Sequence, residues 1–350
     1  MAINLFTLHS DMTQSAFTQE SLIAGKLCTD YEFSGVKTVK ILTPLTVPMN
    51  DYSRTGTNRY GNPVEMQDIV QELTLSQDKS FALTIDKGND ADQGYSKNAG
   101  KMLLLQIAER AVPEFDTYVF NHLSAKAGII AGNGEALTKA NICDEISTAG
   151  AKLDDAEVPA YDRMLFLSTE GYKLLKHSTE FMAVSELGKD ALEKGVVGQY
   201  DNMQVIKVPL TRWPKNVNFM IVHKNAATAP VKMSETKLHQ DPPGISGHLL
   251  EGREYYDCFV FSPRACGVYV QVNTAAGKGV ICAAPSISAA GAITCATQGA
   301  TLFYTTDGSD PRYSPSAVQG ANAGAISGQT IRAYAHKADC FDSPLTSLKI

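Results

Sequence analysis

Two strand-like runs near the N-terminus, Val36-Lys37-Thr38-Val39-Lys40-Ile41 and Ile69 to Leu75, are separated by a stretch that cannot build a core. Thr43 to Asp68 is dominated by Pro, Asn, Asp, Gly and Arg and holds few large apolar residues. Connections longer than roughly 12–15 residues are uncommon in compact domains unless they serve a function. An isolated two-stranded hairpin is marginal in water. The expectation is an extended two-stranded excursion, spanning about residues 36–85 with its return strand, whose polar tip finds its support on another molecule. The return strand, Phe81-Ala82-Leu83-Thr84-Ile85, sets Phe81, Leu83 and Ile85 on one face.

A long helix is expected next, over about residues 98–127. Leu104, Ile107, Ala108, Ala111, Phe115, Tyr118, Val119 and His122 recur at three- and four-residue steps and form one apolar stripe. Pro113 falls inside it and should kink or split it. Gly128 is placed to end it. His122 lies on the stripe with no cluster of partners, which reads as a packed core histidine rather than a ligand.

Residues 138 to 271 read as mixed α/β. Helices are expected at Ala140 to Leu153 and Thr169 to Lys176, and strands at Arg163 to Leu167, Met203 to Val208 and Asn218 to Val222. Phe259-Val260-Phe261 and Gly267 to Val272 are expected to pair and close this region. Residues 1–30 are polar and weakly patterned, an arm or lightly packed lead-in with a short helix possible from Thr18 to Leu27.

Composition changes after residue 272. Of 31 basic and 37 acidic residues, the last 78 positions hold five and four, in a background of Ala, Ser, Thr and Gly. Residues 273–279 look like a linker. Short strands at Ala292 to Ala296, Thr301 to Thr306 and Thr330 to Ala335, with a turn at Asp307-Gly308-Ser309-Asp310-Pro311, predict a small all-β sandwich over 280–350. The fold class is therefore α+β with an appended β module.

The chain offers little chemistry. Its net charge of −6 argues against a general nucleic-acid binder, which would carry a basic stripe. Neither a phosphate-binding loop nor a dinucleotide turn is present. The seven cysteines, irregularly spaced and without a C-x-x-C pair, read as reduced thiols, and the seven scattered histidines lack metal-ligand spacing. Asp154-Asp155 and Asp307/Asp310 are acidic pairs in expected turns, where solvated or turn-bonding roles dominate over acid–base catalysis. Gly244-Ile245-Ser246-Gly247-His248 departs from a nucleophile elbow at His248 and reads as a turn. No catalytic residue, metal or cofactor is expected. No apolar run reaches the roughly 18–20 residues of a membrane span, and the N-terminus shows no secretion signal.

Two stretches resemble tailed-bacteriophage major capsid proteins of the Hong Kong ninety-seven type. Asp51-Tyr52-Ser53-Arg54, followed by Gln77-Asp78-Lys79-Ser80-Phe81-Ala82-Leu83-Thr84-Ile85-Asp86, is similar to the pattern that marks that family's extended loop and the strand leading to its spine helix. Gly195-Val196-Val197-Gly198-Gln199-Tyr200-Asp201-Asn202-Met203-Gln204-Val205-Ile206 resembles the turn and strand of its axial domain, with Asn202 where glycine is usual. Glu254 to Val260 and Gly267 to Val270 resemble its closing strands. The tail, through Tyr304-Thr305-Thr306-Asp307-Gly308-Ser309-Asp310-Pro311 and Thr330 to Ala335, resembles the immunoglobulin-like module at the C-termini of chitobiase and hexosaminidase enzymes, where it is accessory.

The resemblance implies an arm over 1–30 and a capsid domain over 31–272 with spine helix and axial domain (about 138–250). It implies self-assembly through hexamers and pentamers into an icosahedral shell around double-stranded DNA bound without sequence specificity. The setting would be the virion, assembled in the host bacterial cytoplasm. Portal and scaffolding proteins are expected partners, the latter separate because so short a lead has no room for a scaffolding extension. The tail would project outward, where a surface glycan or host factor is a possible ligand and Phe303, Tyr304, Tyr313 and Tyr334 the aromatics at hand. The expected contact sets Arg54, Arg59 and Tyr60 at the excursion tip against a neighbour's carboxylates among Glu251, Glu254 and Asp257. A nanocompartment shell shares the fold; a glycan-active enzyme would need a catalytic carboxylate pair in a barrel-sized domain, which the order of elements does not offer.

Overall fold

The computed structural model describes residues 20–31, 33, 37–44, 46, 49–63, 65–66, 68–92, 98–178, 196–324 and 328–350. The arm before residue 20, Val36 and Gly195 lie outside these. Strands β1 (Thr38–Pro44) and β2 (Asp68–Thr74) pair antiparallel without a bulge, from Thr38 opposite Thr74 to Pro44 opposite Asp68. This ribbon is a separate two-stranded sheet. At its base, Leu73 and Leu75 are buried with Cys28, Phe33 and Phe261. The chain returns through β3 (Gln77–Asp86), longer than expected, and a short helix α1 (Lys87–Asp92). Ile85 is buried and Phe81 half-buried, but Leu83 of the same expected face is exposed.

The long helix is continuous but not uniform. Helix α2 (Ala99–Gln106) passes through one π turn, Ile107–Ala111, into α3 (Val112–Ala125). Pro113 has no N–H to give, and a proline ring clashes with the carbonyl four residues back in a regular helix. The wider turn, in which the Val112 N–H reaches the Ile107 carbonyl, accommodates it without a break. The cost is alignment. Val119, Phe120 and Leu123 of α3 are buried, whereas no residue of α2 is, and Leu104, expected on the stripe, is 67% exposed. Gly128 is not the helix stop either. The helix ends at Lys126, and a Cβ at Gly128 would fall 2.1 Å from the Ala265 carbonyl oxygen, so glycine is needed there for close backbone approach.

The main sheet follows from strands buried on both faces. It contains β4 (Ile129–Asn133), β5 (Arg163–Ser168), β6 (Val196–Tyr200), β7 (Met203–Val208), β8 (Val217–His223) and β13 (Val268–Asn273), ordered β4-β13-β8-β5-β7-β6. Every residue of β5 and β8 is buried. On one face Met164, Phe166, Met220, Val222, Val268 and Val270 pack with α3 and with Leu22, Ile23 and Leu27. On the other, Leu165, Leu167, Phe219 and Ile221 pack on helices α4 (Ile142–Asp155) and α5 (Thr169–Lys176). Near-continuous apolar strands are what a sheet covered on both sides requires. The lead-in is therefore firmly packed over its described part. It is also not helical over 20–27, because the Asp116 carboxylate takes the Leu22 N–H at 3.0 Å and the Ser21 hydroxyl at 2.6 Å, drawing the backbone off a helical path.

Three further elements depart from expectation. Strands β9 (Ala227–Thr228) and β12 (Phe259–Val260) pair with each other, so Phe259-Val260 does not pair with β13, which lies between β4 and β8. Strands β10 (Val231–Gln240) and β11 (Gly247–Tyr256) form a long hairpin that adds to β3 in the order β10-β11-β3. The Gly244 segment is its turn, with Asp241 and Gly244 at positive φ. Asp154 sits in the last turn of α4 rather than in a loop and meets Arg163 at 2.7 Å.

The tail holds a two-stranded sheet, β14 (Ser286–Ile287) with β15 (Ile293–Thr294), and a four-stranded antiparallel sheet of β16 (Thr301–Thr305), β17 (Val318–Gln319), β18 (Thr330–His336) and β19 (Thr346–Lys349), ordered β17-β16-β18-β19. Ile293, Ile331 and Ala333 are its buried centre. Residues 273–279 are not a free tether. The Asn273 N–H donates to Asn216 O at 2.8 Å, the Gly279 N–H to Asn273 O at 2.8 Å, and the Thr274 hydroxyl to Asn133 O.

Candidate assembly interface

The described residues of the ribbon tip are held by local turns. The Ser53 N–H donates to Arg59 O at 2.9 Å and the Gly61 N–H to Asn58 O at 3.1 Å, with Gly56 and Gly61 at positive φ where the chain reverses. Tyr52 and Tyr60 stack edge to face at 5.0 Å. The Arg59 Nε donates to Gly56 O at 3.3 Å, which aims its guanidinium without consuming it. Arg54 is exposed. Leu42, Tyr52 and Met66 are exposed too, Tyr60 is 86% exposed and Met49 fully so. Apolar and aromatic side chains held on a separate ribbon, with arginines among them, make the residue mix of an interface core.

The expected acidic partners divide three ways. Glu251, on β11, is half-buried with Oε2 3.2 Å from His239 Nε2. Glu254, also on β11, borders a cleft of about 300 Å³ with Phe81, Gln106, Arg110 and Glu114. Its carboxyl is pushed above the usual carboxylate range, by burial first and by the Glu114 charge second. Asp257, expected among the acceptors for a neighbour, is instead closed off. It is 3% exposed and committed within the chain, accepting from Ser76 N–H at 2.7 Å, Tyr118 OH at 2.6 Å and Cys258 N–H at 2.7 Å. A carboxylate so enclosed is structural and cannot reach a neighbour. Among the described residues, no ion pair joins Arg54 or Arg59 to Glu251 or Glu254 within one chain.

The cleft continues along β3 and β11 into a second of about 350 Å³ that includes Glu251 and Arg253. Phe81 forms the floor they share, lying over Gly252, where a Cβ would sit 2.3 Å from its ring. Arg253 clamps Asp78 with two bonds, 2.8 and 2.6 Å, which holds the Asp78 carboxyl below its usual range. Asp78 stood in the motif read from the sequence; its pairing with Arg253 across β3 and β11 was not legible, because the β10–β11 hairpin was not.

Sequence reasoning also missed how the tail is seated. Arg312 is buried, pairs with Asp310 at 2.7 Å, and donates to the carbonyls of Ala127 at 3.0 Å and Gly128 at 3.2 Å. The Tyr313 hydroxyl donates to Lys126 O at 2.6 Å. Together they fasten the tail to the chain at the C-cap of α3 and the two residues just past it. Of the four tail aromatics, Tyr313 is thus used in docking, Tyr334 is buried, and Phe303 stacks on Tyr334 at 5.4 Å. Among the described residues no cluster of His, Cys, Asp or Glu fits a metal ion, and no helix is long and apolar enough to cross a membrane.

The fold as a whole matches solved structures from bacteriophages. The chain has the phage capsid fold. Among its structural relatives, a chain from Mycobacterium phage Che8 matches with TM-score 0.63 at 19% identity, over 79% of this chain and 100% of that one. The mature capsid of bacteriophage PhiM1 matches with TM-score 0.60 at 13% identity, over 78% and 92%. The capsid of cyanophage P-SCSP1u matches with TM-score 0.57 at 14% identity, over 77% and 93%. No family model and no curated protein sequence matches the chain.

Proposed function

We propose that this chain is a major capsid protein, a structural subunit without catalytic activity that assembles with copies of itself into the icosahedral shell of a tailed phage. The observation that carries the reading is the ribbon. Its tip exposes Met49, Tyr52, Tyr60 and Met66, a surface that water penalises and that a neighbouring subunit would cover. Repeated heterologous contacts of this kind close into a cage. The fold shared with capsid chains from several phages supports it.

In this reading Arg54, Arg59 and Tyr60 lie on the next subunit, with Glu251 and Glu254 as acceptors. The half-buried Glu254, uneasy as a lone anion beside Glu114, is the one that gains most from an incoming guanidinium. The shell encloses double-stranded DNA without reading its sequence, with portal and scaffolding proteins as further partners, and its place is the virion. The tail is an immunoglobulin-like module on the outer surface; its short antiparallel strands and the Asp307 to Pro311 turn support that assignment. Electron microscopy of the purified recombinant chain tests the proposal. Closed shells of uniform diameter are expected, and a chain that stays monomeric across ionic strength, pH and added scaffolding protein would overturn it.

A further inference from the structure

The sheet order β10-β11-β3 leaves one side of β10 without a partner strand among the described residues. The strand is 10 residues long, contains no proline, and is exposed from Ser234 to Gln240. Edge strands are commonly short, bulged or interrupted, because a row of open backbone N–H and C=O groups is a template for another strand. Here the one irregularity falls at the start, between Val231 and Met233. The Asp241 N–H donates to Gly247 O at 2.7 Å, which sets the alternation along the hairpin. Glu235, Lys237 and His239 turn their backbone groups inward to β11; Ser234, Thr236, Leu238 and Gln240 turn theirs to the open edge.

Charge selects what this edge takes. Glu235 and Lys237 share a face and lie 3.4 Å apart within the chain. An identical strand laid antiparallel and centred on Thr236 sets Glu235 opposite Lys237 and Lys237 opposite Glu235. These are the non-hydrogen-bonded positions, where side chains approach most closely. Ser234 then faces Leu238, and the outward groups of Thr236 meet those of its twin. Moving the axis by one residue sets Glu235 against Glu235, or Lys237 against Lys237, and like charges directly opposite are destabilising. The other edge, β3, has no such solution. Asp78 and Asp86 lie on one face of it and Lys79 on the other, so no twofold register brings opposite charges together. We infer that β10 is an edge by which two copies of the chain pair, antiparallel about Thr236, into one continuous sheet. The contact is isologous, whereas the ribbon contact is heterologous, so one subunit carries two different surfaces for its own kind. The pairing does not depend on the shell reading; within a shell it lies on a twofold axis.

The test uses the full-length chain, soluble or assembled. Under mild oxidation Thr236→Cys should give a disulfide-linked dimer on a non-reducing gel, against the unaltered chain as background, with a peptide map joining position 236 of one copy to position 236 of the other. Ser234→Cys and Leu238→Cys should each fail to link to themselves and should link when mixed, because each position faces the other. Sedimentation of the unaltered chain should show a dimer that Glu235→Lys or Lys237→Glu weakens by roughly tenfold. The double exchange should restore it, which a merely destabilised fold would not do. Absence of the Thr236→Cys link in both free chain and particles, or a double exchange no tighter than the single ones, overturns the pairing. Linked dimers from a chain that never forms shells would count against the capsid reading and leave this one standing.

Discussion

Asp116, on α3, and Arg212, between β7 and β8, form a buried ion pair at 2.7 Å. The same carboxylate takes the Ser21 hydroxyl and the Leu22 N–H, and Arg212 also donates to Glu20 O at 3.2 Å. One charge pair thus ties together the lead-in, the long helix and the main sheet. Removing a single partner of such a pair leaves the other charge buried and alone, typically at a cost of about 3–5 kcal/mol. Asp116→Ala should lower the denaturation free energy of the unassembled chain by that order. A change inside the scatter of surface substitutions would refute the role given to the pair.

The tail should separate from the body when its anchor is cut. Arg312→Ala strands Asp310 and removes the donors held by the Ala127 and Gly128 carbonyls just past α3, so a loss of about 3–5 kcal/mol is again expected. The loss should fall on the docking step. Calorimetry should resolve a second transition, and limited proteolysis should cut near residues 273–279 in the variant and spare the parent. A single unchanged transition would show that the module is seated by something else.

The hairpin between β6 and β7 turns on two residues, Asp201 at φ 48 and Asn202 at φ 58. Two-residue hairpin loops favour this left-handed pair because its twist matches that of the strands. Asn202→Gly should be neutral or slightly stabilising. Asn202→Val should cost roughly 1–2 kcal/mol from the Cβ penalty in the left-handed region. Urea midpoints of the two variants should bracket the parent.

Charge at the ribbon should affect assembly alone, whereas charge on β11 should affect assembly and stability in opposite directions. Arg54→Glu or Arg59→Glu should stop particle formation while the monomer's melting curve stays put, since both side chains are exposed. Glu254 differs. Its carboxyl sits above its unfolded value, so its favourable contribution is complete at acid pH and is lost as pH rises through the folded pKa. Glu254→Gln should therefore stabilise the unassembled chain at neutral pH, leave it unchanged at pH well below the usual carboxylate range, and reduce particle yield by removing the acceptor. Light scattering for assembly and thermal melts at two pH values check both halves. Normal particle yield from Arg54→Glu, Arg59→Glu and Glu254→Gln alike would remove the proposed contact.

What the sequence made legible was local. The strands Met203–Val208 and Arg163–Ser168, the helix Thr169–Lys176, and the excursion after Ile41 all announce themselves by period or by polar composition. Pairing was not legible. Phe259-Val260 and Val268–Asn273 are separated by one 3₁₀ segment yet belong to different sheets, because each partner comes from far away in the chain. The hairpin of β10 and β11 escaped notice since Val231–Gln240 is mostly exposed and carries little alternation to read. At the proposed interface, Arg54, Arg59 and Tyr60 were placed on the tip by composition alone. Asp257 was misjudged because nothing in its neighbours' identities reveals that Tyr118 and Ser76 close over it. Nor was it legible that the segment 273–279 is tied to the body through the Asn273 N–H on Asn216 O and Thr274 on Asn133 O.

The π turn before Pro113 inserts the equivalent of one residue into the helix, and at 100° per residue in an α-helix that is a rotation of about a quarter turn. Side chains upstream of Ile107 are re-aimed relative to those downstream of Val112, so one continuous rod addresses two directions. The downstream half is anchored inward through Phe120 and Leu123, while Leu104 is exposed to solvent. A proline usually regarded as an obstacle thus acts as an angular offset, giving the same helix a fixed inner bearing and a free outer one.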